Sequence, residues 1–312
     1  MSKALPARQR GVAMILVLWV AMLLTVIAGS FALATRTDMA VVQNSVERAR
    51  AEAAADAALH YAMMEMYKSA SDLTRWKSDG EPHDFEWQGN IVRVSLMDES
   101  GKIDINAASP ELLKGLLVLG GATDDQAVKL VDAIQDWRDT DTLRRLNGAE
   151  EAEYQAAGLK YKPSNTPFQT IEELRMVLGM TPELYRRIAP DITIFSRQAG
   201  LNYAIAPRSA MLALPGVTRE QVDAYIAQRT VARASGLPVP PFEAALRFGA
   251  TQALSAVYVR AEVTPKDGAG FVRGAVVRLT SDPKRPYTFL SWREDGGNVD
   301  PPDTVESNQR GL

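Results

Sequence analysis

An uncharged apolar run at residues 12–34, directly after Arg8 and Arg10, constrains this chain more than any other feature. A helix rises about 1.5 Å per residue, so the run would span roughly 34 Å, enough to cross the hydrocarbon core of a bilayer. Basic residues before such a run favour a cytoplasmic N-terminus. The sequence therefore predicts one membrane-spanning helix with a cytoplasmic N-terminus.

The helical pattern continues well beyond the apolar run, because neither Gly nor Pro occurs between Ser30 and Asp79. The segment is rich in Ala, Glu, Arg and Met, which are strong helix formers. Apolar residues recur at three- and four-residue steps, at Val42, Val46, Ala49, Ala53, Ala57, Tyr61, Met64 and Tyr67. We predict one helix from residue 12 to about residue 68, whose amphipathic second half packs against a sheet and neighbouring subunits. Ordinary signal cleavage near "AGSFALA" would cut this helix in two.

Strand-like and helical patterns alternate along the rest of the chain. "RWKSDGEPHDFEWQGN" is typical of turns, and "IVRVSLMDES" alternates apolar and polar residues as a strand does. Helical patterns then continue to about residue 248. Strand patterns return in "SAVYVRAEVTP", "FVRGAVVRLTS" and "YTFLSWRE", and the last residues are typical of disorder. The order predicts a helical block inserted into a small antiparallel sheet.

The helical block contains three loosely similar helix–turn–helix segments, and two of them begin their second helix with the spacing of a capping box. These boxes are Thr123 with Gln126 and Thr218 with Gln221. Helix–hairpin–helix motifs often bind DNA through the backbone N–H groups of a Gly-x-Gly turn. Here "ALPGVTREQV" has one Gly and "VLGGATDDQAV" has two aspartates beside its turn. We therefore predict packing units, with a membrane-anchored DNA-uptake protein as the alternative function.

Composition argues against several other classes of function. The net charge is −3 and the pI about 5.6, whereas nucleic-acid binding needs clustered Lys and Arg. The absence of Cys excludes disulfides, thiol nucleophiles and Cys-ligated zinc. The chain has two histidines, His60 and His83, which argues against a histidine-rich metal site or a Ser-His-Asp triad. His83 falls in a polar segment that is expected to be a turn. An anchored hydrolase that uses carboxylate metal ligands lacks a base or nucleophile at a matching spacing. The chain is predicted not to be an enzyme.

Several motifs together resemble the K-type minor pseudopilins of type II secretion systems. They are the Gly11 leader followed by an apolar helix, "GKIDINAASPELL", "DWRDTDTLRRLNGAEEAEY", "FQTIEELRMVLGM" and "LNYAIAP" with "LPGV". The fold class predicted is α+β, with a pilin-like long N-terminal helix packed on a small antiparallel sheet and a large inserted all-α domain of helix–hairpin–helix-like units. The predicted parts are a leader at 1–11, a transmembrane part of the helix at 12–34, a periplasmic helix and first strands at 35–102, the inserted helical domain at 103–250, C-terminal strands at 251–293 and a disordered tail at 294–312.

The resemblance implies how such a chain is processed and what it assembles with. Prepilin peptidase would cut between Gly11 and Val12 and methylate Val12. The fifth mature residue is Leu16, where most pilins have a Glu that is thought to meet the N-terminal amine of the subunit ahead. A lone carboxylate in lipid is costly, and a tip subunit has no subunit ahead of it, so Leu16 indicates the tip of the pseudopilus. The implied partners are the I- and J-type minor pseudopilins, the other pseudopilus subunits and the inner-membrane assembly platform. The implied location is the inner membrane, with a periplasmic C-terminal domain.

A dense acidic cluster suggests a metal site. Its members are Asp132, Asp136, Asp139, Asp141, Glu150, Glu151 and Glu153. Crowded carboxylates near a turn suit Ca²⁺, although the spacing is not that of an EF-hand and a solvated acidic face is the alternative reading. The resemblance implies a structural calcium ion in a D-x-D…GAED-type loop, at Asp139, Asp141, Glu150 and Glu151, with Glu151 where the family commonly has Asp. Pairing of Arg144 or Arg145 with Glu150 or Glu151 would make the metal unnecessary.

Overall fold

The first element is a single long helix. A computed structural model of the protein describes residues 10–69, 71–72, 74–250, 256–265, 270–280 and 282–294. Helix α1 (Arg10–Tyr67) agrees with the predicted helix, and it is the one described helix that is long and apolar enough to cross a membrane. From Ala13 onward its apolar half is exposed, with Leu16 63% exposed and Trp19 68% exposed. Most of the expected leader and nearly all of the expected tail lie outside the described residues.

The strands form one antiparallel sheet and one short parallel pair. They are β1 (Asp79–Trp87), β2 (Asn90–Asp98), β3 (Ile103–Asp104), β4 (Ile192–Thr193), β5 (Val257–Thr264), β6 (Phe271–Leu279) and β7 (Tyr287–Glu294). The five-stranded sheet has the order β1-β2-β5-β6-β7 with every neighbour antiparallel, and β3 pairs with β4 in parallel. The chain leaves the sheet after Asp98 and returns at Val257, which are paired across β2 and β5. The predicted insertion of a helical block into a sheet is therefore confirmed.

Strand β1 corrects the expectation of a turn-rich segment after α1. Its residues include Gly80 and Pro82, which are typical of turns, but the register shift in its pairing with β2 lies between Asp79 and Pro82. Pro is tolerated at a bulge or on an edge strand because no ladder hydrogen bond is lost there. His83 consequently lies in a strand, and its ring stacks on Trp76 with centroids 4.2 Å apart.

Helix α1 packs on the sheet through a different stripe from the one that the periodicity singled out. The buried stripe consists of Ala51, Ala54, Ala55, Ala58, Leu59, Ala62, Met63 and Met66, packed on β2, β5 and β6. Small alanines let a helix approach a sheet closely, and Arg273 on β6 fixes the helix further through Asp56 at 2.8 Å. Most of the predicted stripe remains exposed, with Val42 62% exposed and Met64 68% exposed, whereas Tyr61 contacts the rings of Trp76 and Phe85. Both stripes are apolar and follow helical spacing, so the pattern alone could not choose between them.

The inserted block has its own apolar core, separate from the core between α1 and the sheet. Its helices are α2 (Pro110–Leu119), α3 (Asp124–Arg138), α4 (Glu151–Ala156), α5 (Pro182–Ile188), α6 (Arg208–Leu212) and α7 (Arg219–Ala234). Apolar faces of short helices cannot be covered within a single helix, so these helices bury them against each other. The predicted α+β fold class is confirmed.

Two of the three predicted repeats share the same helical hairpin, capping box and arginine contact. The pairs α2–α3 and α6–α7 are helical hairpins, and both predicted capping boxes are present, at Thr123 and at Thr218. Arg138 at the end of α3 donates to the carbonyl of Ala108, and Arg233 near the end of α7 donates to the carbonyl of Ala204. The remaining repeat is less regular, since a 3-10 helix (Ile171–Met176) precedes the short α5.

Candidate metal centre

The loop at residues 139–150 joins α3 to α4 and carries Asp139, Asp141 and Glu150, while the other acidic residues of the cluster lie on these two helices. Asp139 is the C-cap of α3, where its N–H donates to the carbonyl of Gln135 at 3.0 Å. Glu150 is the N-cap of α4, and its N–H donates to Glu153 at 2.9 Å. The two helix ends therefore fix the backbone at Asp139 and at Glu150, which are two of the four predicted ligands.

Asp136 organises the interior of this loop, although it was not among the four predicted ligands. Its side chain is fully buried and accepts the backbone N–H of Arg145 at 3.2 Å. A Cβ on Gly148 would lie 2.0 Å from Asp136 Oδ2, so only glycine fits there without displacement. Asp132, one turn earlier, accepts both the backbone N–H and the side-chain amide of Asn147 at 3.0 Å. The i, i+4, i+7 spacing of Asp132, Asp136 and Asp139 in the sequence indicates that their side chains lie on one face of α3.

The electrostatics of the loop favour a bound cation. Burial raises the pKa of the Asp136, Asp139 and Glu150 carboxyl groups, and neighbouring carboxylates raise the pKa of all three further. Asp139 Oδ1 and Glu150 Oε1 are buried and have no hydrogen-bond partner in the described part of the chain, and Glu150 is only 8% exposed. Burying an unpartnered carboxylate oxygen is costly. These donors are hard oxygens, which fit Ca²⁺.

The other two predicted ligands face different partners. Asp141 accepts the N–H of Leu143 at 2.8 Å through its side chain. Glu151 is exposed and pairs with Lys162 at 3.1 Å. Among the described residues, no group of three or more His, Asp or Glu side chains is arranged to hold a metal ion. The inner carboxylates are Asp136, Asp139 and Glu150, and a metal would have to draw them together.

The two arginines of the loop have carboxylate partners, but not the expected ones. Arg144 lies 3.4 Å from Glu153, and Arg145 lies 3.4 Å from Asp136 and 3.3 Å from Asp139. Neither has an ion pair with Glu150 or Glu151. One oxygen of Glu150 thus remains without a partner despite the nearby cations.

The residues of the predicted processing site lie at the start of α1. Gly11 and Val12 follow Arg10, the first residue of the helix, and Leu16 lies one turn later on its exposed apolar surface. The backbone is therefore already helical at the predicted cleavage point. An apolar side chain at Leu16 needs no partner in a lipid environment.

The hairpin turns lack the features of a DNA-binding site. The first turn is followed by Asp124 and Asp125 in the first turn of α3, which would repel phosphate. Arg187 covers this turn instead, and it donates to the carbonyl of Gly120 at 3.3 Å. Both hairpins contribute buried residues to the core of the inserted block.

Comparisons with known proteins agree with this architecture. Residues 90–197 match the family model "Type II secretion system (T2SS), protein K". The chain is 28% identical over 229 residues to a type II secretion system protein K of Klebsiella pneumoniae, covering 66% of this chain and 70% of the relative. It is 34% identical over 124 residues to a protein K of Pectobacterium carotovorum subsp. carotovorum, covering 38% of this chain and 37% of the relative.

A solved structure has the same fold. It is a chain in the crystal structure of the GspK-GspI-GspJ complex from the enterotoxigenic Escherichia coli type 2 secretion system, with a TM-score of 0.57 and 18% identity. The match covers 84% of this chain and 99% of the solved chain. Taken with the long apolar helix, the five-stranded sheet and the inserted helical block, these matches support a K-type minor pseudopilin of a type II secretion system.

Proposed function

We propose that this minor pseudopilin is the tip subunit of the pseudopilus, where it starts assembly and supports export of folded proteins across the outer membrane. The observation that carries the proposal is the second apolar stripe of α1. One stripe packs on the sheet, and the other is exposed at Val42, Ala53 and Met64. Tyr61, near the end of this second stripe, contacts the rings of Trp76 and Phe85. The open stripe continues directly into the apolar half of α1. A partner that covers this stripe along its length would have to contribute a long apolar helix of its own.

The chemistry of the open stripe suits helix packing. Ala49, Ala53 and Ala57 are spaced four residues apart, and small residues at this spacing let two helix backbones approach closely. In lipid and in a helical fibre core the surroundings of residues 12–34 are equally apolar, so the transfer between them costs little free energy. The proposed partners are the I- and J-type minor pseudopilins. The solved chain with the same fold belongs to a GspK-GspI-GspJ complex, which supports this choice. Other pseudopilus subunits and the inner-membrane assembly platform complete the proposed set, and the role requires no catalysis.

Leu16 supports the tip position. A subunit inside the fibre would use a carboxylate here to meet the amine of the subunit ahead, and this chain has no such group at that place. The proposed location before assembly is the inner membrane, with a cytoplasmic N-terminus and a periplasmic C-terminal domain. The basic residues Arg8 and Arg10 support this orientation.

Processing between Gly11 and Val12 is the part of the proposal that is tested first. The measurement is the mass of the N-terminal peptide of the protein purified from membranes of a producing cell. We expect a peptide that begins at Val12 and carries one added methyl group. A peptide that begins near Phe31 would mean ordinary signal cleavage, and the tip role would be wrong.

We also propose that the loop at 139–150 binds one structural Ca²⁺. The carboxylates that would hold it are Asp139 and Glu150, with Asp136 and Asp141 beside them, while Glu151 would have to turn away from Lys162 to take part. The unpartnered buried oxygen of Glu150 supports this proposal. When bound, the ion would neutralise the crowded carboxylates and tie the end of α3 to the start of α4.

Thermal unfolding of the full chain in detergent tests the calcium proposal. We expect a higher Tm in CaCl₂ than in chelator, and no such rise for Glu150→Gln. Glu172→Gln is the matched control, because Glu172 is an exposed glutamate of the same block. An unchanged Tm on chelation would contradict the proposal.

A further inference from the structure

The loop at 139–150 contains its own cation beside the carboxylates proposed to hold calcium. Asp136, Asp139 and Glu150 are crowded together, and Arg145 is the basic side chain that reaches two of them. The neighbouring cations have other partners. Arg138 donates to the carbonyls of Ile105 and Ala108, Arg144 pairs with Glu153, and Lys162 pairs with Glu151.

The contacts of Arg145 are long for a charge-assisted pair. Its Nε lies 3.4 Å from Asp136 Oδ1 and its Nη2 lies 3.3 Å from Asp139 Oδ2. Arginine–carboxylate hydrogen bonds are ordinarily about 2.7–2.9 Å, and Arg208 reaches Asp223 at 2.6 Å in the same block. Arg145 also leaves Asp139 Oδ1 and Glu150 Oε1 without a hydrogen-bond partner. The guanidinium therefore neutralises the cluster only in part.

The side chain of Arg145 is able to leave without releasing the loop. It is 43% exposed, so the guanidinium has direct access to water. The backbone is held separately, because the N–H of Arg145 donates to Asp136 and the N–H of Asn147 donates to Asp132. Withdrawal of the guanidinium would leave these two backbone anchors in place.

We propose that Arg145 is an internal competitor of the cation, which occupies the carboxylates in the absence of metal and sets the calcium affinity of the loop. Asp139 is the group that both would use, since the guanidinium contacts Oδ2 and Oδ1 is free for a ligand bond. A divalent ion gives the buried oxygens of Asp139 and Glu150 a partner that the guanidinium does not provide. Metal binding thus expels Arg145 into solvent. This inference rests on the proposed calcium binding.

Calorimetric titration of the full chain in detergent with CaCl₂ tests the competition. Arg145→Gln removes the competitor, and the Kd for calcium is expected to fall about threefold to fivefold, the upper part of the range for an exposed ion pair. Arg144→Gln is the matched control, because it removes the same charge one residue away from a pair with Glu153. Its Kd is expected to stay within about twofold of the parent value.

Thermal unfolding gives a second readout that a general loss of stability would not produce. In chelator, Arg145→Gln is expected to unfold at a lower Tm than the parent, because the carboxylates lose their counter-ion. In saturating calcium the two Tm values are expected to coincide.

The outcomes separate this inference from the calcium proposal. If the parent binds calcium and Arg145→Gln binds no tighter, or Arg144→Gln tightens binding equally, the competition is overturned and the calcium site stands. If neither the parent nor Arg145→Gln responds to calcium by heat or by Tm, the calcium site is wrong and the competition is overturned with it.

Discussion

Asp191 is a buried carboxylate in the inserted block with one hydrogen bond to a side chain. Its burial predicts that the stability of the protein depends on pH. Ser209 donates to it at 2.5 Å, and it borders a cavity of about 180 Å³ also lined by Arg187 and Arg208. Burial raises the pKa of Asp191, and the hydrogen bond from Ser209 and the charge of Lys102 offset this only in part. The pKa of Asp191 is higher in the folded than in the unfolded state, so the protonated carboxyl stabilises the fold. This contribution to the free energy of unfolding is present below about pH 4 and is lost as the pH rises through the folded pKa.

Asp191→Asn is therefore expected to raise the stability of the full chain at pH 7, by roughly 1 kcal/mol. The Asn carbonyl still accepts the hydrogen bond from Ser209, while the buried charge is gone. The gain should shrink as the pH is lowered toward 4, because the parent carboxyl then takes up its proton. Tm is measured for both proteins at the two pH values, with exposed Asp125→Asn as control. A difference in Tm that does not change with pH would refute this reading of Asp191.

Gly148 is predicted to be irreplaceable because of the carboxylate beside it. An added Cβ would lie 2.0 Å from Asp136 Oδ2 and 3.2 Å from the carbonyl of Asp132. Gly148→Ala should displace Asp136 and lower the stability by about 1–3 kcal/mol. Chemical denaturation measures the loss. Thr142→Ala, at an exposed place in the same loop, should be near neutral, and equal effects of the two changes would argue against the close approach.

At the residue scale, the sequence predicted the acidic loop but not the set of carboxylates inside it. Asp139 and Glu150 cap the two helices that border the loop, so their positions follow from helix ends that the sequence indicates. Glu151 was chosen through the family pattern, yet it lies on the exposed side of α4. Asp136 is buried because the loop folds back over α3, and a contact of that kind depends on tertiary packing rather than on local spacing.

At the scale of elements, the crossing of α2 and α6 depends on Gly115. A Cβ at this position would lie 1.9 Å from the backbone carbonyl of Ala213, which cannot move without shifting the helix end. Gly115→Ala gains up to about 1 kcal/mol in helix propensity, but forcing the two helices apart should cost more, with a net loss of about 1–3 kcal/mol.

The measurement is urea unfolding of Gly115→Ala, compared with Lys114→Ala on the adjoining exposed face of α2. Lys114 is 41% exposed and pairs with Asp124, so its removal should change the free energy of unfolding by less than about 0.5 kcal/mol. If Gly115→Ala proves as stable as the parent, α2 and α6 do not rely on this close approach.

The elements themselves follow closely from local pattern, with two instructive exceptions. The capping boxes at Thr123 and Thr218 are local signals, and both form as predicted. Strand β1 was missed because Gly80 and Pro82 indicate a turn, whereas pairing with β2 holds the segment extended. On α1, two apolar stripes have equal periodicity, and only the alanine-rich one fits against the sheet.

At the scale of the whole molecule, α1 belongs to two cores at once. Its alanine-rich stripe completes the core under β2, β5 and β6, and its open stripe extends the apolar surface of the membrane segment. The chain leaves the sheet after Asp98 and returns at Val257, which are paired, and the inserted block has a separate core. The ion pairs Arg233–Asp79 at 3.8 Å and Arg293–Glu172 at 4.0 Å also connect the block to the sheet. The proposed assembly surface on α1 therefore lies outside the core of the inserted block.

The two stripes of α1 predict opposite results for the same substitution, alanine to glutamate, at two positions that are two residues apart. Ala53 is exposed on the open stripe and Ala55 is fully buried against the sheet. Ala53→Glu should leave the Tm of the isolated chain unchanged and abolish its co-purification with the I- and J-type minor pseudopilins, because a carboxylate would be buried between helices. Ala55→Glu should destabilise the isolated chain by about 3–5 kcal/mol, because it buries an unpaired charge inside the fold. Co-purification that survives Ala53→Glu would show that partners use another face of α1. An equal loss of Tm in both variants would mean that the second stripe also supports the fold of the chain itself.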